Sequence, residues 1–350
     1  MTVQQMGIVG CVALVVLLCG SMPVAFAMAV VGVVGFAMVT SWHAAVSMTT
    51  MELYKVFASY SLTVIPLFVL MGQVAFHAGI SRGLFNAAYH WLGALPGGLA
   101  MATVGACTAF GAICGSGPAT SATMASVALP EMKRFKYSME LGCGAVAAGG
   151  GIGMLIPPSV VFIVYGIMTE QSVGKLFIAG IVPGLLIALL FCLTIYVICR
   201  RRPQLGPPAP RTSWPAKFAS LTGVLETLVL FVAVMGGMFA GFFTPTEAAA
   251  IGAAGTLVIG LVKRQLTIRK VIRSLQETVR TSCMVMFIVT GAVIFGHFLA
   301  VTRIPDELAR WLANLPLPGW SIMALIILFY LLAGCFVDAL GLIIDRKSVV

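Results

Sequence analysis

The sequence predicts an all-α, polytopic membrane protein with re-entrant helical hairpins and broken spanning helices. Hydrophobic residues make up 60% of the 350 residues and charged residues only 9%, with a mean hydropathy of +1.06. Because soluble domains carry about 25% charged residues, this composition excludes an ordinary soluble protein. Apolar runs of roughly 20 residues, enough to cross a bilayer as helix, recur along the chain, and two of them contain glycine-rich breaks.

The net charge of +10 would also suit a nucleic-acid-binding protein. The cations, however, lie in short loops between apolar runs, which is the pattern of cytoplasmic loops in membrane proteins. We therefore expect a lipid bilayer and no nucleic acid as surroundings. The nine cysteines lie almost entirely within apolar runs and lack metal-ligand spacing, so we expect packing residues and no cofactor.

Residues 1–80 predict a scaffold of three spans, at about 6–20, 23–40 and 61–80. The first two extend well past a signal-peptide core and lack a positive amino-terminal region. We therefore expect retained spans rather than a cleaved leader.

Residues 81–98 predict an arm helix that lies in the membrane interface. Apolar side chains recur at helical spacing from Leu84 through Trp91 to Leu95, but the segment is too short and too polar to span.

Residues 99–165 predict a hairpin followed by a broken helix, which together would form the transport core. Apolar runs at about 99–114 and 118–130 flank the first break, and each is short for a complete span. This pattern favours a hairpin that dips into the bilayer and returns to its own side. The second break lies within the next span, about 141–165.

Residues 166–300 predict further scaffold spans and basic loops. The spans are expected at about 175–199, 221–240, 246–262 and 281–300. Between the last two, the basic and amphipathic stretch 263–280 is expected to lie on the anionic inner leaflet.

Residues 301–344 repeat the arm helix and the first hairpin limb. Trp91-Leu-Gly-Ala-Leu-Pro-Gly-Gly98 matches Trp311-Leu-Ala-Asn-Leu-Pro-Leu-Pro-Gly-Trp320 with a two-residue insertion, and both follow a span. Chance can produce the periodicity alone, but the shared Trp-Leu, Leu-Pro and Gly favour an internal repeat.

The charge pattern predicts that the two repeats are inverted. With a re-entrant hairpin at 99–130, the loops Lys133–Lys136, Arg200–Lys217 and Lys263–Arg280 share one face, which should be cytoplasmic. The amino terminus is then periplasmic and the two arm helices lie on opposite sides. Inverted repeats are typical of many secondary transporters.

The end of the sequence differs in character from the rest. No counterpart of Gly149–Ser159 follows the second arm helix, and after Ile344 the sequence reads Asp-Arg-Lys-Ser-Val-Val. We expect residues 345–350 to be a non-native tail and the second repeat to be incomplete.

The first break is a candidate site for a solute or ion. In hydrocarbon an unpaired backbone group costs several kcal/mol, so broken helix survives only beside protein or a wet cavity. The alternative is a tight turn that needs glycine for a positive φ and proline to stop a helix. The candidate residues are Gly115, Ser116, Gly117, Pro118, Ala119 and Thr120.

The second break is the candidate ion site. Four glycines and two prolines destabilise helix strongly, at about 1 kcal/mol for each Gly and 3 for a Pro. Close helix packing through small residues is the alternative, but the paired prolines favour unwinding, which frees carbonyls for a cation and a helix end for an anion. The candidate residues are Gly149, Gly150, Gly151, Gly153, Met154, Pro157, Pro158 and Ser159; sodium is predicted near Ser116, Gly150, Gly153 and Pro157.

Two further motifs carry acidic residues. Asp338 is the one acid in the apolar run after the second arm helix, and intramembrane carboxylates are functional candidates by default. We expect it at the second hairpin tip; a position near the interface is the alternative. Thr244-Pro-Thr-Glu247 has the form of a capping box and predicts the start of a helix.

These motifs together resemble the large membrane subunit of TRAP (tripartite ATP-independent periplasmic) transporters. The matching segments extend from about residue 60 to 342, and their combination is highly specific. They are Gly79-Ile-Ser-Arg82, Leu95-Pro-Gly-Gly98, Gly115-Ser-Gly-Pro-Ala-Thr120, Gly151-Ile-Gly-Met-Leu-Ile-Pro-Pro-Ser159, Ala179-Gly-Ile-Val-Pro-Gly184, Phe243-Thr-Pro-Thr-Glu-Ala-Ala249 and Phe336-Val-Asp338.

The resemblance implies an elevator-type transporter of a prokaryotic inner membrane that couples sodium entry to uptake of organic anions such as C4-dicarboxylates or sugar acids. A small four-helix membrane subunit and a periplasmic solute-binding protein would be its partners. A stand-alone sodium or proton symporter of related fold is an alternative. A membrane-embedded enzyme is disfavoured, because the sequence shows no metalloprotease-type cluster and no Ser–His motif.

Overall fold

A computed structural model describes residues 2–210, 212–305, 307, 310 and 319–334. The chain divides into two units. We call one the terminal unit, which holds Met1–Leu62, Ile167–Glu170 and the chain from Thr281 onward, and the other the central unit, which holds Thr63–Gly166 and Gln171–Arg280.

The terminal unit begins with two apolar helices, at the positions of the first two predicted spans, and a helix that the sequence analysis missed. The apolar helices are α1 (Val3–Cys19) and α2 (Val24–Val39), both shorter than the candidate spans of the described chain. The third helix, α3 (Trp42–Phe57), begins at Ser41, whose hydroxyl accepts a hydrogen bond from the Ala44 amide at 3.3 Å. Charged residues in α3 interrupt the apolar pattern that identifies spans, although its inward face is buried.

The central unit contains the hairpin and the broken helix. Its helices are α4 (Val64–His77), α5 (Ile80–Leu92), α6 (Gly98–Cys114), α7 (Gly117–Arg134), α8 (Met139–Ile152), α9 (Val160–Met168), α10 (Val173–Arg201), α11 (Trp214–Ser220), α12 (Thr222–Phe231), α13 (Gly237–Phe239, after a π-helical turn at Val232–Gly236) and α14 (Pro245–Val262). Helix α5 lies within the segment predicted as an arm helix, α6 and α7 correspond to the two predicted hairpin limbs, and α8 and α9 are the two helical parts of the segment predicted as a broken helix.

The basic stretch 263–280 and the span predicted at 281–300 are not separate helices. The predicted boundary between them, near residue 280, is therefore wrong as a helix end. Residues Ile268–Thr302 form one helix of 35 residues, α15. No glycine or proline occurs between Ile268 and Val289, so nothing in the backbone stops the helix where the charged residues give way to apolar ones. Helix α16 (Gly319–Ala333) follows in the terminal unit.

The predicted capping box at the start of α14 is confirmed. The Thr244 hydroxyl accepts from the Glu247 amide at 3.3 Å, and the Glu247 carboxylate accepts from the Thr244 amide at 2.8 Å. This reciprocal pair satisfies two backbone donors at the helix end.

Five helical segments in the described residues are long and apolar enough to cross a membrane: Tyr60–His77, Val173–Arg201, Trp214–Phe239, Pro245–Val262 and Ile268–Thr302. The described residues form helices and no strand. The predicted class, an all-α polytopic membrane protein, is confirmed.

The core of the central unit surrounds α6. Thirteen of the 17 residues of α6 are buried, which makes it an interior helix rather than one with a lipid-facing side. Helices α4, α5, α7, α8 and α10 pack around it. The hairpin tip is therefore held inside the central unit, next to the broken helix.

Candidate functional site

The hairpin tip is only two residues long. Helix α6 ends at Cys114, Gly115 takes the left-handed conformation with φ of 63°, and the extended Ser116 precedes α7. The Gly115 amide donates to the Gly111 carbonyl at 2.9 Å, and the Ser116 carbonyl accepts from the Thr120 amide at 3.0 Å. The backbone at the tip is therefore largely paired, as a tight turn requires.

The second break is longer, and fewer of its backbone groups are paired. After Ile152 the chain tightens, with the Gly153 and Met154 amides donating to carbonyls three residues back. Pro157 and Pro158 lack an amide hydrogen, so neither can continue a helical ladder. Regular helix resumes at Val160.

Ser159 begins the second half of the broken helix. Its hydroxyl oxygen accepts a hydrogen bond from the Phe162 amide at 3.4 Å and donates to the Met154 carbonyl. Ser159 is fully buried, so the predicted site residue acts here as a helix cap that also closes the break.

The tip and the break are in direct contact. The Val160 amide donates to the Gly115 carbonyl at 3.2 Å, and a Cβ on Gly115 would overlap the Pro158 carbonyl oxygen. A Cβ on Gly111 would lie 2.5 Å from the Gly153 Cα. Glycine at these positions allows the two backbones to approach, as at small-residue helix contacts in membranes.

Thr120 places an unpartnered hydroxyl between the two breaks. Its side chain is fully buried, and its Oγ1 has no nitrogen or oxygen hydrogen-bond partner among the described residues; the Cys114 thiol, a weak hydrogen-bonding group, is within its reach. The same oxygen lies 2.7 Å from the position that a Cβ on Gly153 would take. A buried hydroxyl without a partner is costly, and such groups frequently mark an ion or ligand position.

The break also leaves backbone oxygens unpaired. In the described part of the chain, no backbone amide donates to the carbonyls of Gly153, Leu155, Ile156, Pro157 or Pro158. All of these residues except the half-buried Leu155 are buried. Unwound carbonyls at membrane depth are the groups that coordinate coupling cations in secondary transporters.

The remaining predicted residues have different environments. Met154 lies against Gly117, Gly149 against Cys107, and Gly150 beside the Ser121 hydroxyl. Ser116 and Ala119 are half-buried, whereas Pro118 and Gly151 are exposed, and nothing lies within 4 Å of a Cβ built on Gly151. Asp338 and most of the second arm helix lie outside the described residues.

Sequence reasoning missed Gly111 and Ser121, which line the contact between hairpin and broken helix. Gly111 precedes Gly115 by four residues, a spacing that places both on one helix face and was available in the sequence. Nothing in the sequence pairs Ser121 with Gly150, because that contact joins two helices.

The described residues contain no group of three His, Cys, Asp or Glu side chains that could hold a metal ion. A cation at the two breaks would therefore be held by carbonyl and hydroxyl oxygens. Both are hard ligands, which suit an alkali or alkaline-earth cation better than a transition metal.

Comparisons with known proteins agree with this architecture. Residues 11–344 match the family model described as the tripartite ATP-independent periplasmic transporter, DctM component. The chain is 39% identical over 294 residues to the C4-dicarboxylate TRAP transporter large permease protein DctM of Pseudomonas aeruginosa, covering 84% of this chain and 68% of that protein.

Two other relatives carry different substrate names. The isethionate TRAP transporter permease protein DctMQ of Oleidesulfovibrio alaskensis is 38% identical over 82% of this chain and 45% of its own length. The sialic acid TRAP transporter large permease protein SiaM of Vibrio cholerae is 32% identical over 94% of this chain and 76% of its own length. The chain belongs to the DctM family, the large permease component of TRAP transporters, which are multi-pass inner-membrane transporters and not enzymes.

Proposed function

We propose that this chain is the permease subunit that carries an organic anion into the cell, driven by sodium entry. A periplasmic binding protein would deliver the anion and a small membrane subunit would complete the complex, as the family implies. The relatives named above are permeases for a C4-dicarboxylate, isethionate and sialic acid. These share a carboxylate or sulfonate, so the proposal covers organic acids as a class, with C4-dicarboxylates and sugar acids as the first candidates.

The observation that carries the proposal is the set of unpaired oxygens between the hairpin tip and the broken helix. The Thr120 hydroxyl has no hydrogen-bond partner in the described chain, and no backbone amide there donates to the carbonyls of Gly153, Leu155, Ile156, Pro157 and Pro158. These oxygens lie where the backbone of Gly111 approaches Gly153 and the backbone of Gly115 approaches Pro158. A sodium ion bound there would satisfy these groups. In the proposal, Gly153, Pro157 and Thr120 supply ligands.

The anion would lie beside the positive ends of two helices. Helix α7 begins at Gly117 without a side-chain cap, and α9 begins at Val160 beside the tip. Helix amino termini carry a partial positive charge, so both favour a carboxylate, and at α9 this charge would act without the Val160 and Phe162 amides, which are bonded within the chain. The sodium ion and the anion would then stabilise each other's binding.

Coupling to sodium would supply the driving force without ATP. Each net positive charge that crosses 100 mV releases about 2.3 kcal/mol, so entry of more sodium charge than anion charge drives accumulation. We propose an elevator-type movement in which the hairpin and broken helix carry the site across the membrane together. The direct bond between Gly115 and Val160 supports joint movement.

Uptake into proteoliposomes tests this proposal. The permease is reconstituted with its small subunit and binding protein, and uptake of labelled C4-dicarboxylates and sialic acid is followed with an inward sodium gradient. We expect uptake with sodium and little with choline or potassium, and no uptake when the binding protein is omitted. Uptake that is indifferent to sodium would refute the coupling, and uptake without the binding protein would favour a stand-alone symporter.

A further inference from the structure

A second polar region of the central unit is a cavity of about 740 Å³, separate from the residues of the hairpin tip and the break. It lies between the end of α4, the start of α5, the middle of α7, the end of α14 and the start of α15. Four cationic side chains line it: Arg82, Lys263, Lys270 and Arg273.

The cavity carries more positive than negative charge. Lys263 forms an ion pair with Glu226, and the Arg273 guanidinium lies 3.0 Å from the Glu277 carboxylate. Lys270 instead donates to the His77 and Gln265 carbonyls, at 3.3 and 2.7 Å. These bonds are to neutral groups and leave its charge uncompensated.

Arg82 is the second cation without a carboxylate partner. It makes neither an ion pair nor a hydrogen bond within the described chain. Two of the four cations, Arg82 and Lys270, thus have no carboxylate partner in the described chain, so the cavity attracts an anion.

Uncharged donors in the wall add to this attraction. Helix α5 begins at Gly79 without a side-chain cap, and both Gly79 and the buried Ser81 line the cavity, so the positive end of the helix faces it. His77 also lines the cavity, but its ring is only 7% exposed and its Nε2 lies 3.9 Å from the Glu277 carboxylate, so it adds no free donor.

The position of the cavity at the ends of candidate spans indicates the source of the anion. The candidate spans Tyr60–His77 and Pro245–Val262 end at its wall, and Lys263 follows the second of these directly. Side chains just past the ends of spans lie at the level of the lipid headgroups. Basic pockets between helices at this level are suited to anionic headgroups.

The size and the remaining lining also favour a headgroup over a bare ion. A volume of about 740 Å³ is far larger than one phosphate needs, and the amides of Asn86 and Gln265 can bind hydroxyl groups. We propose that this cavity binds the phosphate and polar headgroup of an anionic phospholipid, with Arg82 and Lys270 as the principal phosphate ligands.

Native mass spectrometry of the purified, delipidated protein tests the proposal with phosphatidylglycerol as the probe. Phosphatidylcholine with the same acyl chains serves as the zwitterionic control. We expect tighter binding of phosphatidylglycerol, with affinity reduced roughly fivefold by Arg82→Gln and about 25-fold when Lys270→Gln is added. If the double variant fails to fold, Arg82→Gln alone still tests the proposal, because Arg82 makes no ion pair or hydrogen bond within the described chain.

The matched control is the double variant Arg269→Gln/Arg280→Gln, which removes the same charge from cations that do not line the cavity. This control variant should bind phosphatidylglycerol more tightly than phosphatidylcholine, to the same degree as wild type. Equal affinity for the two lipids, or equal loss in the control and cavity variants, would overturn the proposal. Glycerol 3-phosphate is the soluble arm: binding as tight as that of phosphatidylglycerol, at the same cations, would assign the cavity to a free phosphate ester and refute the lipid.

Discussion

The two breaks are both rich in glycine and proline, yet their backbones are satisfied differently. At the hairpin tip, Gly115 uses its amide and its carbonyl in hydrogen bonds, and a single left-handed residue reverses the chain. Between Gly153 and Ser159, in contrast, several carbonyls accept no backbone hydrogen bond in the described chain. The tip is built as a rigid turn, whereas the second break offers oxygens to a cation.

This difference separates the residues that shape the site from those that bind. Glycine is required at position 115 of the tip, because a Cβ there would overlap the Pro158 carbonyl oxygen. The second break and Thr120 supply unpartnered polar atoms. Substitution of the tip glycine Gly115 should therefore affect stability most, and substitutions of the unpartnered groups should affect ion binding with little effect on stability.

The largest expected effect on stability is at Gly115. Gly115→Ala places a Cβ on a residue with φ of 63° and against the Pro158 carbonyl oxygen. We expect the free energy of unfolding to fall by about 2 kcal/mol or more, measured by thermal unfolding in detergent. Gly151→Ala is the control, because its Cβ meets nothing within 4 Å. Equal losses in the two variants would contradict a packed, strained tip.

The base of the hairpin gives the next largest effect. The buried Tyr137 hydroxyl accepts from the Leu99 amide at 3.1 Å, and burial raises the pKa of Tyr137 to about 12. Tyr137→Phe leaves that buried amide unpaired and should cost about 1–3 kcal/mol in thermal unfolding at neutral pH.

The stability difference between wild type and Tyr137→Phe should depend on pH. Tyr137 keeps its proton in the folded protein above its ordinary pKa of 10, so the stability it contributes is lost as pH rises from 10 towards 12. The difference between wild type and Tyr137→Phe should narrow over that range. Tyr54→Phe, at an exposed residue, should change stability by less than about 0.5 kcal/mol. A loss of stability in Tyr137→Phe that is no larger than in Tyr54→Phe would contradict the conclusion that Tyr137 stabilises the base of the hairpin.

Two serines test the difference in side-chain capping between the two breaks. Ser159 caps α9, so Ser159→Ala should lower stability by about 1 kcal/mol. Ser116 stands at the corresponding place before α7 but makes no side-chain cap, so Ser116→Ala should be nearly neutral. Thermal unfolding of the two variants under the same conditions measures the two losses of stability. A greater loss in Ser116→Ala than in Ser159→Ala would contradict this assignment of the cap.

The hairpin, the break and most spans could be predicted from the sequence because each depends on local composition. Hydropathy identified the limbs of α6 and α7, and Gly-Pro content identified both breaks. Helix α3 was missed because its charged residues mask a buried face, and the length of α15 was missed because a change of charge does not stop a helix. The contact of Gly111 with Gly153 and the cationic cavity depend on helices far apart in sequence, which one sequence does not pair.

The most direct test of the sodium site is ion-dependent stabilisation of wild type, Thr120→Val and Thr120→Ser. Because the Thr120 hydroxyl has no partner in the described chain, valine should leave stability without sodium nearly unchanged. We expect sodium, but not potassium, to raise the melting temperature of wild type and Thr120→Ser, and Thr120→Val to need about tenfold more sodium, the equivalent of roughly 1.4 kcal/mol. The same sodium dependence in Thr120→Val as in wild type, or equal stabilisation by potassium, would contradict a sodium site between the hairpin tip and the broken helix.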